Sequence, residues 1–199
     1  MKRGKLITLY GINNIGKSTQ ARILIDNLKK HGHDAVYIKY PIYNLEPTGP
    51  FINKSLRGTD EDKKIDQAQL QMWFALNRYQ YENELKQMLG EGKIVIAEDY
   101  TCTGIAWGSA NGVNLEWLME INKYLMKEDF AIYLKGKRNL QAREDNHAYE
   151  SNDDLSEACM FIYDNLAVKF NWTKVVVKPS ISETADLIWD TVHNFLKNS

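Results

Sequence analysis

The 199-residue sequence predicts an α/β protein: a parallel sheet of about five strands with helices on both faces. Three observations carry that expectation. Short β-rich runs alternate with long helical stretches, which is the pattern of strands joined by helical crossovers. The interior runs are almost continuously apolar, as strands covered on both faces must be. Glycines stand where helices should stop before a strand, at Gly32, Gly90 and Gly92. The β-rich runs are residues 6–10, 35–40, 94–97, 130–134 and 174–178. Helical periodicity fits residues 17–31, 66–89, 115–126, 153–170 and 181–196. The length suits one domain with a buried core. Ser182-Glu183 after Pro179 is a plausible start for the last helix, and Trp189, Val192 and Leu196 continue its apolar stripe.

The most specific motif lies between the first run and the first helix. Gly11-Ile12-Asn13-Asn14-Ile15-Gly16-Lys17-Ser18 has the form G-x-x-x-x-G-K-[ST], in the strand–loop–helix context that a phosphate-binding loop requires. The glycines let the backbone turn so that successive N–H groups of Asn13, Asn14, Ile15, Gly16 and Thr19 face one concavity suited to an anion. The helix starting near Lys17 adds the positive end of its dipole. Lys17 can reach the β- and γ-phosphates of a nucleotide, and the Ser18 hydroxyl can ligate Mg²⁺.

Composition narrows the partners. With 25 Lys and Arg against 26 Asp and Glu, the net charge is −1. No basic field is present to hold a polynucleotide. The apolar run after the basic start is too short for a signal peptide, and no later segment is long enough to span a membrane. Cys102 and Cys159 lack metal-type spacing and read as buried or idle thiols in a reducing cytoplasm. His31, His33 and His193 read as surface or helix-end residues.

Two further segments bear on chemistry. Phe74 and Arg78 are four apart and share one helical face. A ring beside a guanidinium suits a base with a hydrogen-bonded carbonyl or phosphate, although a core Phe beside a surface Arg has the same spacing. Glu98 and Asp99 follow the run at 94–97, where carboxylates at a strand's carboxyl end can hold Mg²⁺ or its waters. Glu98 could equally cap the helix beginning near Thr103. The polar stretch at 137–152, with Arg143 and His147, could be a lid over nucleotide or an exposed helix and loop.

In order and spacing these segments resemble the thymidylate kinase family of nucleoside monophosphate kinases. The carrying motifs are Gly16-Lys17-Ser18-Thr19-Gln20, Phe74-Ala75-Leu76-Asn77-Arg78 and, more loosely, residues 98–107. The resemblance implies a three-layer P-loop kinase fold with a short lid, and transfer of the ATP γ-phosphoryl group to a deoxynucleoside monophosphate, dTMP first. It implies that Phe74 stacks on the acceptor base, Arg78 contacts the acceptor, and Tyr100 and Trp107 wall its sugar and base. Arg143 falls where the family's lid carries a basic residue, Mg²⁺ accompanies ATP, and the enzyme is a homodimer.

Several positions depart from the family's pattern. Tyr10 stands for the Glu usual before the first loop glycine, and Asn13 for an acidic residue two places after it. Lys39 keeps a positive charge after the second strand, but Tyr43 or Leu45 falls where an arginine is expected. Asp99 replaces the arginine of D-R-Y. At an effective dielectric of about 20, an added charge at ~4 Å is worth roughly 4 kcal/mol before screening. That opposes an acceptor phosphate unless Lys39, Lys54, Arg57 or Mg²⁺ compensates. The departures keep two alternatives in view: a deoxynucleoside kinase with Glu98 or Asp99 as base, and an ATP-binding homologue with weakened catalysis.

Overall fold

The computed structural model describes residues 3–59, 61–138 and 153–199. Five strands form one parallel sheet: β1 (Leu6–Tyr10), β2 (Ala35–Lys39), β3 (Ile94–Glu98), β4 (Phe130–Lys135) and β5 (Thr173–Val176), in the order β2-β3-β1-β4-β5. Every residue of β1 and β3 is buried. Side chains alternate between the two faces of a strand, so the centre of the sheet is covered on both sides. The edge strands β2 and β5 alternate with exposed positions.

The covering helices form two groups. α1 (Lys17–Lys30) packs against α8 (Ile181–Lys197). α3 (Gln67–Gln80), α5 (Thr101–Ala110) and α7 (Asp153–Lys169) pack in series. The α8 cap is Ser180, whose hydroxyl accepts from the Glu183 amide, two residues before the Ser182 expected from the sequence. Between α1 and α8, His31 and His193 pack on Trp189, with ring centroids 4.4 and 5.1 Å away. No helix among the described residues is long and apolar enough to cross a membrane.

Three elements differ from the sequence expectation. The helix expected over 66–89 is two helices, α3 and α4 (Glu82–Gly90), broken at Tyr81, whose ψ of 0° lies outside the helical range. The helix expected over 115–126 ends as α6 (Leu115–Ile121), because Asn122 turns its side chain back onto the Leu118 carbonyl and meets Arg78. A helix not expected at all, α2 (Thr48–Arg57), follows the β2 strand. Its Pro47, Gly49 and Pro50 read as turn residues, yet proline is compatible with a first helical turn. The segment expected as a lid lies mostly outside the described residues, as do Arg143 and His147.

One side chain ties α2 and the β2–α2 loop to α3. Asn77 is fully buried. Its Oδ1 accepts from the Ile42 amide at 2.8 Å, and its Nδ2 donates to the Ile42 carbonyl at 3.1 Å and to Thr48 Oγ1 at 2.8 Å. Asn77→Ala leaves buried groups of Ile42 without partners, and each such loss costs about 1–3 kcal/mol. Urea denaturation of Asn77→Ala should show a destabilisation of about 2–4 kcal/mol.

Candidate active site

The β1–β3 register assembles the site. Leu9 pairs with Glu98, so the loop leaving β1 and the Glu98-Asp99 pair leaving β3 emerge side by side at the carboxyl edge. The loop backbone takes conformations that only its residue types tolerate. Gly11 has φ of 146°, and a Cβ there would lie 2.7 Å from the Leu134 carbonyl oxygen. Gly16 has φ of 94° and faces open space, and Asn14 is left-handed at φ 61°. Ile15 turns into the core, Thr19 is exposed, and Asn13 lines the cavity described below.

Lys17 is buried and folded back on the loop. Its Nζ donates to the carbonyls of Gly11 (2.9 Å) and Ile12 (2.8 Å) and lies 3.4 Å from Asp99 Oδ1. Glu98 is more heavily bound. Its Oε1 accepts from Ser18 Oγ at 2.8 Å and pairs with Lys39 Nζ at 3.0 Å, while Oε2 accepts from the Tyr37 hydroxyl. Burial opposes the charge on Glu98, but Lys17 and Lys39 outweigh it and hold its pKa below the usual carboxylate value. Asp99 moves the other way. Burial, aided by the charge on Glu98, raises its pKa against the pull of Lys17 and Lys39. Asp99 is left-handed at φ 60°, and its Oδ1 accepts from Thr103 Oγ1 at 3.3 Å.

Beside the loop lies a cavity of about 110 Å³. Asn13 of the phosphate loop, Asp99, Phe74, Arg78 and Trp107 line it. Lys39, Tyr43 and Arg57 line it as well. Arg57 Nη1 donates to the Tyr43 hydroxyl at 2.8 Å, and its guanidinium sits 5.0 Å from the Tyr43 ring centre. Arg78 is buried, with Nη1 donating to Asn122 Oδ1 at 2.8 Å; burial lowers its pKa.

Of the acceptor-side residues expected from sequence, Phe74, Arg78, Asp99, Trp107 and Lys39 therefore converge on one cavity. Tyr100 does not join them. Its ring packs on Tyr40 at 5.1 Å and its hydroxyl donates to the Met126 carbonyl at 3.0 Å, so it belongs to the core. Arg143 lies outside the described residues. Gln71 and Tyr40 also line the cavity without having been singled out in the sequence. The spacing of Gln71, three before Phe74 and seven before Arg78, was the available signal for the first.

Both cysteines are free and buried, and burial raises both thiol pKa values, that of Cys102 to about 12. Neither is an activated nucleophile. The residues present do suit magnesium. Mg²⁺ takes hard oxygen ligands, commonly one or two protein groups completed by phosphates and water. Ser18 Oγ and Glu98 Oε1 provide such a pair, and among the described residues no cluster of three His, Cys, Asp or Glu competes as a metal site.

Comparison with known proteins agrees with this geometry. A probable thymidylate kinase of Thermococcus onnurineus is 29% identical over 185 residues, covering 85% of this chain and 87% of that protein. The thymidylate kinase of Plasmodium falciparum is 29% identical over 151 residues, covering 75% and 70%. The solved thymidylate kinase from Candida albicans superposes with a TM-score of 0.83 at 24% identity, over 99% of this chain and 94% of that one, and so shares the fold. The model of the thymidylate kinase family matches residues 9–188, and the chain belongs to that family.

Proposed function

We propose that the phosphate loop and the adjoining cavity are the donor and acceptor halves of one phosphoryl-transfer site. As a thymidylate kinase, the chain transfers the γ-phosphoryl group of ATP to dTMP, giving ADP and dTDP. The observation that carries the division of labour is the shared wall: Asn13 belongs to the loop, yet it faces the cavity with Phe74, Arg78 and Trp107. An acceptor held there has its phosphate next to the donor's. The family match favours neither the nucleoside-kinase alternative nor the weakened homologue.

The loop amides of residues 13–19 hold the donor phosphates, and Lys17 swings off the Gly11 and Ile12 carbonyls to follow the transferring group. Mg²⁺, when bound through Ser18 and Glu98, neutralises charge between the donor phosphates. Phe74 and Trp107 sandwich the acceptor, Arg78 meets its base, and Lys39 faces its phosphate. Arg143 is proposed to close on the transferring group from the 137–152 segment. The acceptor phosphate is ionised at neutral pH, so no general base is needed, and positioning and charge supply the rate.

The enzyme is proposed to be a cytoplasmic homodimer. Met72, Leu76 and Tyr124 are 55, 49 and 76% exposed along one groove between α2, α3 and α6. A contiguous apolar face of this kind is unusual on a monomer. A second copy is the occupant that the family resemblance implies.

Four measurements test these assignments. With Mg²⁺ and ATP, ADP release should be far faster with dTMP than with thymidine, and Lys17→Ala should cut kcat by about 10²–10³. Equal turnover of thymidine would overturn the acceptor assignment. Asp99→Asn keeps a residue that tolerates the left-handed backbone and removes a charge facing the acceptor phosphate. It should lower KM for dTMP by roughly three- to tenfold; a rise would show that the carboxylate positions the acceptor. Leu76→Glu should convert a dimer to a monomer in sedimentation at micromolar concentration.

A further inference from the structure

The acceptor cavity contains hydrogen-bonding capacity that the protein does not use. Gln71 is 2% exposed and lines the cavity, and its Nε2 has no partner. Arg78 Nε, on the same cavity, is likewise buried without a partner. Buried polar atoms are ordinarily paired, because an unpaired one forfeits its hydration without compensation. Two such atoms on one cavity mark places where a ligand completes the bonding.

Their position on the helix sets what they can read. Gln71, Phe74 and Arg78 occupy positions i, i+3 and i+7 of α3 and share one face. A planar base lying on the Phe74 ring has Gln71 one turn before it and Arg78 one turn after it. The Gln71 amide is also oriented. A Cβ on Gly104 would sit 2.7 Å from Arg78 Nη2 and 2.9 Å from Gln71 Oε1, so these two atoms converge on one point. Oε1 therefore lies on the side of Gly104, and Nε2, the donor of the amide, is the atom left without a partner.

We infer that Gln71 is a base-specificity residue, its Nε2 donating to a ring carbonyl of the acceptor pyrimidine alongside Arg78. This rests on the cavity being the acceptor site. A base edge facing two donors must present acceptors. Thymine and uracil do so with their 4-carbonyl, whereas cytosine presents a 4-amino donor and sets donor against donor. Gln71 therefore contributes to rejection of cytosine nucleotides as well as to binding of thymine nucleotides.

The test uses two variants and two acceptors. Gln71→Leu removes the donor, and Gln71→Glu keeps the shape but replaces the donor with an acceptor. With saturating Mg·ATP, Gln71→Leu should lower kcat/KM for dTMP by about ten- to a hundredfold. It should change dCMP little, and leave KM for ATP unaltered. Gln71→Glu should lower dTMP use and raise dCMP use, compressing the ratio further. Calorimetry of dTMP and dCMP binding without ATP makes the same comparison free of turnover. An unchanged dTMP:dCMP ratio in both variants, or an equal loss with both nucleotides, overturns the inference and leaves the kinase assignment standing. Wild-type protein that binds dTMP selectively without phosphorylating it has the converse meaning. If it binds neither nucleotide, both readings fall.

Discussion

The pairing of Leu9 with Glu98 across β1 and β3 is the constraint from which the site follows. Parallel strands end on the same edge, so the residues that follow them meet there whatever their distance in sequence. Residues 11 and 99 are far apart along the chain, yet this register places the phosphate loop against a pair of carboxylates. A slip of one residue would send Glu98 to the other face of the sheet and leave Ser18 without its partner. The complete burial of both strands fixes that register, because alternate residues must each find an apolar layer. Apolar packing in the centre of the sheet thus sets the geometry of charges at its rim.

Those charges form a compact cluster at the carboxyl edge of the sheet. Lys17 and Lys39 face Glu98 and Asp99, two cations against two anions. Lys17 is held by two loop carbonyls as well as by Asp99, so its ammonium is engaged within the loop. A triphosphate must draw Lys17 away from those partners. It can, because a polyanion offers charge-assisted bonds to the ammonium and also accepts from the N–H groups of the loop.

Legibility in the sequence followed the reach of each signal. The phosphate loop was fully legible, since G-x-x-x-x-G-K-[ST] encodes backbone conformation and chemistry in consecutive residues. The inner strands were legible because burial on two faces writes an apolar run, and the edge strands because their β-rich runs lie between helical stretches. α2 was not, because Pro47, Gly49 and Pro50 carry local turn signals that the buried Thr48–Asn77 bond overrides. The break at Tyr81 and the early end of α6 depend on tertiary partners that periodicity cannot show. Tyr100 was misplaced for a related reason. Position in a motif fixes where a backbone goes, whereas the hydroxyl goes where a partner is, and here that is the Met126 carbonyl. Gln71 escaped notice because a polar residue on a helix reads as solvent-facing until its face is known to be enclosed.

The same separation of local from tertiary signals resolves the apparent conflict at Asp99. From sequence alone, an aspartate in place of an arginine opposes a monophosphate by several kcal/mol at close range, about 4 at ~4 Å. The folded cavity changes the balance. Asp99 is buried 3.4 Å from the Lys17 ammonium, which offsets its negative charge. The same cavity is lined by Lys39 and Arg57, supplied by the end of β2 and by α2. Coulomb energy depends on distance and not on which element provides the charge, so a cation delivered by α2 offsets one missing after β3. Arg57 is held in the wall by the hydroxyl and ring of Tyr43, itself at a position where an arginine was expected. On the assignment proposed above, the cations of β2 and α2 face the acceptor phosphate in place of an arginine after β3.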